Sequence, residues 1–329
     1  MSSKLKVTLV GASGATGVSI VNALLEEPEK FQVTAFARSS SVNKPAWIDL
    51  AKRGVRVVVT DLLGPENDLV NALQGTDVVI SSIFPIGTHQ DQVNLVNAAK
   101  MAGVKRFVPG TWGPVVPPTG VLQLRDEKEE LINYMKALKL PYTVIDVGLW
   151  YQTTLPRVPS GKLDYVITEV MRYLSQEVDA KLAMSDLRDV GKHVVKIITD
   201  DRTLNKYVLA YNEIWTQREL LDIVRKSTGE EPVVQIVSQQ TTKLLLADAE
   251  AEVKADPSNV VNAIKLAVLQ YFWSWAIRSD NSRENAKFLG YLDTEELYGI
   301  DTRLTSYKSF IDEIVEGKGQ IIQTDYINA

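Results

Sequence analysis

Residues 4–27 read KLKVTLVGASGATGVSIVNALLEE, and the fold turns on how this stretch is parsed. Val and Leu crowd the run before Gly11, as in a strand buried on both faces of a parallel sheet. Beyond Gly17, the residues Val18, Ile20, Val21, Leu24 and Leu25 recur at helical spacing. A strand, a glycine turn and a helix form the βα unit in which helix amides face a pyrophosphate. Gly11, Ser13, Gly14, Ala15, Thr16 and Gly17 are then the phosphate-binding turn. The glycines stand as GxxGxxG and not as the GxGxxG fingerprint, so the assignment rests on the flanking strand and helix.

The same rhythm continues outward. FQVTAFA, GVRVVVTDL, TDVVISSIF, VKRFVPGTW and LPYTVIDVG read as five further strands. Helical patterns over 18–25, 46–53, 66–73, 90–102 and 126–138 separate them. Regular βα alternation predicts a doubly wound parallel sheet with helices on both faces, an α/β Rossmann domain that binds NAD(P). After Gly148 the alternation breaks, and residues 243–288 carry long helical patterns. The expected division is residues 1–154 plus about 189–212 for the dinucleotide-binding domain, and 155–188 plus 213–329 for a smaller, mostly helical substrate lobe.

Composition removes several classes of function. Net charge is −5, and basic residues never form a block, which argues against a nucleic-acid surface. The chain has no Cys, so disulfides, thiolate catalysis and Cys-ligated metals are excluded. A cysteine-free chain fits a reducing compartment, and the N-terminus enters a strand at once, so a cytoplasmic location is expected. No apolar run reaches 18 uninterrupted residues, so no membrane association is expected, and the molecule is expected to be a monomer or homodimer.

The end of the second strand selects the dinucleotide. A carboxylate there would bond the adenosine ribose and repel a 2′-phosphate. Here the stretch is AFARSSSVNK, in which Arg38 offers a bidentate fork, Ser39 and Ser40 offer hydroxyls, and Lys44 adds a point charge. NADPH (NADP) is therefore the expected cofactor. Asp61, ending the third strand, is expected near the adenine. Ser81, Ser82 and Ile83, with Gln90 and Thr111, complete the expected cofactor strip along the sheet edge.

Short-chain reductases carry a YxxxK pair, and no such spacing occurs anywhere in the chain. At the position four residues before Lys128 stands Leu124. VTLVGASGATG, ISSI, HQDQVNLVNAAKMAGVKRFVP, RDEKEEL, TDDRTLNK and ENAKFLGYLDTEELYGID together resemble the isoflavone reductase and phenylcoumaran benzylic ether reductase group. That group lies within the NmrA-like atypical short-chain dehydrogenases, and the resemblance is strongest to its fungal members. It implies that Lys128, on the helix after the fifth strand, is the general acid or base and also touches the cofactor. The group's PSEFG loop reads PGTWG here, and its SNFF reads VGLW, so the substrate pocket is expected to be this chain's own.

For the substrate slot the expected lining is His89, Trp112, Val147, Trp150 and Tyr151, with the indoles as flat walls for a ring. The function implied is an NADPH-dependent reductase of an aromatic or polyketide-type secondary metabolite. A non-catalytic NADP(H) sensor, or a redox-neutral isomerase or cyclase on the same fold, are the alternatives. No His, Asp and Glu grouping has metal-ligand spacing.

Overall fold

A computed structural model describes residues 3–83, 88–167, 173–176 and 179–320. The first half alternates as β1 (Leu5–Val10), α1 (Ala15–Leu25), β2 (Phe31–Ala37), α2 (Pro45–Lys52), β3 (Arg56–Val59), α3 (Glu66–Leu73), β4 (Val78–Ser81), α4 (His89–Met101), β5 (Arg106–Val108), α5 (Gln123–Ala137) and β6 (Thr143–Asp146). Next come the short strands β7 (Leu149–Trp150), β8 (Tyr173–Ser175) and β9 (Lys181–Ser185), then α6 (Val190–Ile198) and β10 (Lys206–Leu209). β11 (Glu213–Thr216), α7 (Gln217–Thr228), β12 (Gln235–Val237), α8 (Gln239–Ala255) and α9 (Val260–Phe272) follow. The last elements are α10 (Arg283–Phe288), β13 (Leu292–Asp293), α11 (Thr294–Tyr298) and α12 (Tyr307–Val315). Phe84, which closes the expected fourth strand, lies outside the described residues.

β3, β2, β1, β4 and β5 form a parallel sheet in that order. A parallel bridge from Phe107 to Tyr142 carries it on to β6, which pairs with β10, and β10 pairs with β13. The doubly wound order 3-2-1-4-5-6 is thus present and extended by two strands. One face is covered by α1, α2 and α6 through Ile20, Leu24, Trp47, Leu50, Val194 and Ile198. The other face is covered by α3, α4 and α5 through Leu69, Leu73, Leu95, Leu131 and Met135.

Two features depart from the expected division. Leu292 and Asp293, assigned to the lobe, pair in parallel with Val208 and Leu209 of the main sheet. A two-residue strand is too short to show a period, so only its partner reveals it. The lobe also contains short strands: β9 lies between β7 and β11, and β12 pairs with β8. Its core joins Leu220 and Val224 to Phe272, Trp275, Tyr307 and Phe310, with Tyr151 fully buried among them.

TDDRTLNK, which had no role from spacing, ties α6 to β10. The guanidinium of Arg106, buried, donates to the carbonyls of Ile197 and Asp200 and to the Thr203 hydroxyl. Asn205 adopts a left-handed φ of 59° and exchanges hydrogen bonds with the Tyr142 backbone. One helical run, Val260–Ile277, has the length and hydropathy of a membrane span, 1.3 over 18 residues. Asn262, Lys265 and Gln270 interrupt it, and α9 packs along α8 and against α5.

Candidate functional site

Gly11 ends β1 at φ +85°, and a Cβ there would stand 2.4 Å from the Ser82 carbonyl oxygen. Gly17 lies in the first turn of α1, where a Cβ would fall 2.1 Å from the Gly11 oxygen. Both positions demand glycine, and together they press the turn flat between β1, β4 and α1. Gly14 caps α1 in an extended conformation without a side-chain hydrogen bond, and the first turn holds no acidic residue. The amides of α1 are thus left for an anion, which is the arrangement a pyrophosphate needs. Thr16 is buried, Ala15 half-buried and Ser13 exposed beside them.

Arg38, Ser39, Ser40 and Lys44 are all exposed where β2 runs into α2. Neither Arg38 nor Lys44 forms an ion pair among the described residues. Asp61 is exposed as well and accepts from the Leu63 amide. Burial pushes the Asp91 carboxyl above its usual range, while Arg38 opposes the shift and Asp61 reinforces it, so these charges share one edge of the sheet. Gln90 donates to Asn94 on its own helix, and His89 is exposed at the first position of α4. Ile83 and Ser82 are half-buried, and the Ser81 hydroxyl is buried with no partner among the described residues. An orphaned hydroxyl at a strand end facing this edge fits a ligand group.

Lys128 sits one turn into α5, and its Nζ donates to the Thr111 carbonyl at 2.9 Å. Thr111 is held in turn by its hydroxyl, which donates to the Ile145 carbonyl at 2.7 Å. Burial lowers the Lys128 ammonium to about 8, with the Arg125 charge adding to the shift and Asp146 and Glu127 opposing it. RDEKEEL has the look of a solvated helix start, yet Arg125 is 4% exposed and Glu129 5%. Arg125 bonds Glu129 at 2.9 Å and Asp146 at 2.7 Å, and Tyr291 donates to the same Asp146 oxygen at 2.5 Å. Sequence reasoning missed this cluster. The Arg125–Glu129 spacing of four was its one visible sign.

The substrate wall needs correction. Trp112 packs in the sheet core at 8% exposure and donates its indole N–H to the Ser81 carbonyl at 2.8 Å, with φ at +20°. Val147 is fully buried and donates its amide to Gly113. Tyr151 is fully buried too, its hydroxyl given to Glu213 at 3.0 Å. These three serve packing, because burial leaves no surface for a ring. Trp150 differs: it is half-buried, and its indole nitrogen is enclosed with no partner among the described residues. A cavity of about 290 Å³ opens beside Ser13 and Ala15, lined also by Gln152, Arg188 and Phe310, and it does not reach Lys128.

The whole chain has relatives. It is 41% identical over 316 residues to the asnovolin J 5′,6′-dehydrogenase of Aspergillus novofumigatus, covering 95% of this chain and 96% of that one. A pinoresinol reductase solved with NADP⁺ and (+)-pinoresinol superposes with a TM-score of 0.75 at 23% identity, covering 95% of this chain and all of that one. The leucoanthocyanidin reductase–NADPH complex of Vitis vinifera gives 0.75 at 19% identity, over 94% of this chain and 99% of that one. The model of the NmrA-like family matches residues 3–269. By that match and by the 41% relative, the chain belongs to the NmrA-like family.

Proposed function

We propose that the protein is an NADPH-dependent oxidoreductase that acts on an aromatic or polyketide-type secondary metabolite in the cytoplasm. The observation that carries this reading is the Lys128 ammonium, lowered to about 8 and fastened to the Thr111 carbonyl at the ligand edge of a Rossmann sheet. Relatives of this chain include a fungal protein named as a dehydrogenase and plant proteins named as reductases, which supports an oxidoreductase. Bound NADPH would supply the hydride. The turn of Gly11, Gly14 and Gly17 would hold the pyrophosphate, and Arg38 with Ser39, Ser40 and Lys44 the 2′-phosphate. Lys128 would hold the ribose and pass a proton at Nζ, since an amine near pH 8 can both give and take one at neutral pH.

The test is calorimetry with NADPH and NADH, followed by a panel of enones, quinones and benzylic ethers monitored by NADPH absorbance. Tighter binding of NADPH together with consumption of at least one acceptor is expected. Equal affinity for both dinucleotides, or tight binding without turnover on any acceptor, would overturn the reading and favour a sensor.

A further inference from the structure

The chain has no YxxxK pair, yet the tertiary structure brings a tyrosine to Lys128 from the other lobe. Tyr271 lies one residue before the end of α9, next to a single π-helical turn at Trp273–Ile277. α9 is docked onto the start of α5, where the Gln123 amide donates to the Gln270 side chain at 3.0 Å. At Gly113, the point a Cβ would occupy is 3.4 Å from the Thr111 carbonyl oxygen and 3.7 Å from the Tyr271 hydroxyl. That same Thr111 oxygen accepts the Lys128 ammonium. The two side chains thus flank one three-residue segment at the ligand edge.

The Tyr271 hydroxyl has no hydrogen-bond partner among the described residues, unlike the hydroxyls of Tyr151, Tyr207, Tyr211 and Tyr291. Its ring is only partly buried, against the lobe core. Burial pushes the phenol up to about 12, and the charges that act on it next are Arg125 and Asp146, the same two that act on Lys128. A phenol and an amine in one electrostatic environment, with the phenol unengaged, is what a two-member proton relay requires.

We infer that Tyr271 is a catalytic residue, delivered from the lobe, that donates its proton to the substrate oxygen while Lys128 reprotonates it. This rests on the oxidoreductase reading. In the reductive direction the acceptor carbon gains hydride from the reduced nicotinamide, and the electron pair of the reduced bond moves to oxygen. The Tyr271 O–H bond breaks as the new O–H bond forms, and the Lys128 ammonium gives its proton to the phenolate. The nicotinamide is oxidised and the acceptor reduced.

Tyr271→Phe removes one oxygen and keeps the ring that packs the lobe. With an acceptor found in the panel, kcat should fall about 100-fold, while KM and the NADPH dissociation constant stay within about threefold. A second readout needs no turnover: 4-nitrophenolate, a flat oxyanion, is titrated into the NADP⁺ complex and followed by its visible absorbance. The wild type should bind it with a spectral shift, and Tyr271→Phe should weaken binding at least about tenfold, as loss of a hydrogen bond to a charged group does. No binding by the wild type, unchanged binding by the variant, or kcat within threefold of wild type each overturns the assignment. Tyr271-dependent binding with no acceptor consumed overturns the oxidoreductase reading alone.

Discussion

Arg38 and Lys44 stand exposed and form no ion pair among the described residues, whereas many other basic residues do. A free fork at the end of β2 is what a 2′-phosphate would engage, and a nicotinamide dinucleotide without that phosphate would gain nothing from it. Arg38→Ala should therefore weaken NADPH binding by about 2–3 kcal/mol, the range for truncating one side of a charged hydrogen-bonded pair, and leave NADH binding unchanged. Calorimetry with both dinucleotides measures the difference, and an equal loss for the two would remove Arg38 from the phosphate site.

Lys128 links function to stability through one ammonium. As the source of the proton it must be charged, so kcat for reduction should fall as pH rises through about 8. Lys128→Met should lower kcat by about 10²–10⁴-fold and weaken NADPH binding much less, by about the worth of one bond to the ribose. Its stability should move the other way. Below pH 8 both the folded and unfolded chains hold the proton, so folding carries the whole cost of burying the charge. Between 8 and 10.5 the unfolded chain binds more proton than the folded one, and stability rises with pH until the cost is gone. The Met variant should thus be more stable by about 2 kcal/mol at pH 7, after the lost bond to Thr111 is counted, and less stable than wild type by about 1 kcal/mol above 10.5, where only that bond remains. Denaturant midpoints across that range decide it; an advantage independent of pH would mean the ammonium is solvated.

Among elements, the contact of α1 with α6 fixes the back of the glycine turn. Ser19 donates to the Arg188 carbonyl and accepts from the Gly191 amide at 3.0 Å, so the helices meet almost backbone to backbone. A Cβ at Gly191 would fall 2.1 Å from the Ser19 carbonyl and 2.8 Å from the Ala23 Cβ. Gly191→Ala should therefore force the helices apart at a cost of about 1–3 kcal/mol, read as a lower urea midpoint, and weaken NADPH binding because α1 carries the turn. An unchanged midpoint would show that α6 can slide at no cost. α7 illustrates an element whose limits are local: Thr216 and Glu219 form a reciprocal capping box, and Gly229 closes the helix at φ 72°.

The whole molecule does not divide at residue 154. β6 needs β10 beside it, β10 needs β13, and α6 covers the face of the sheet that α1 shares. Arg106 of β5 donates to the Thr143 hydroxyl, but its remaining acceptors, the carbonyls of Ile197 and Asp200 and the Thr203 hydroxyl, all lie in residues 197–203. A fragment ending at 154 would leave that guanidinium with the Thr143 hydroxyl alone and β6 as a bare apolar edge. It should unfold without a cooperative transition and bind no NADPH, as circular dichroism melting and calorimetry would record. Cooperative melting of the fragment would show that the later strands only decorate the sheet.

The sheet, its parallel order and the glycine turn were legible because their signals are local. Buried strands are continuous Val and Ile runs, helices repeat at 3.6, and a turn pressed against a neighbouring backbone admits only glycine, as Gly11 and Gly17 show. The basic stretch at Arg38 and Lys44 is exposed where β2 runs into α2. Tertiary structure alone decided which of the aromatics are buried in the core. Trp112 and Tyr151 look like slot walls in sequence, yet their polar atoms are taken by Ser81 and Glu213 from distant elements. It also decided that Arg125, Glu129 and Asp146 form a buried charge cluster, and that Tyr271, 143 positions after Lys128, lies across Gly113 from it. Burial and proximity between residues far apart in the chain depend on how whole layers pack, and no periodicity within one segment encodes them.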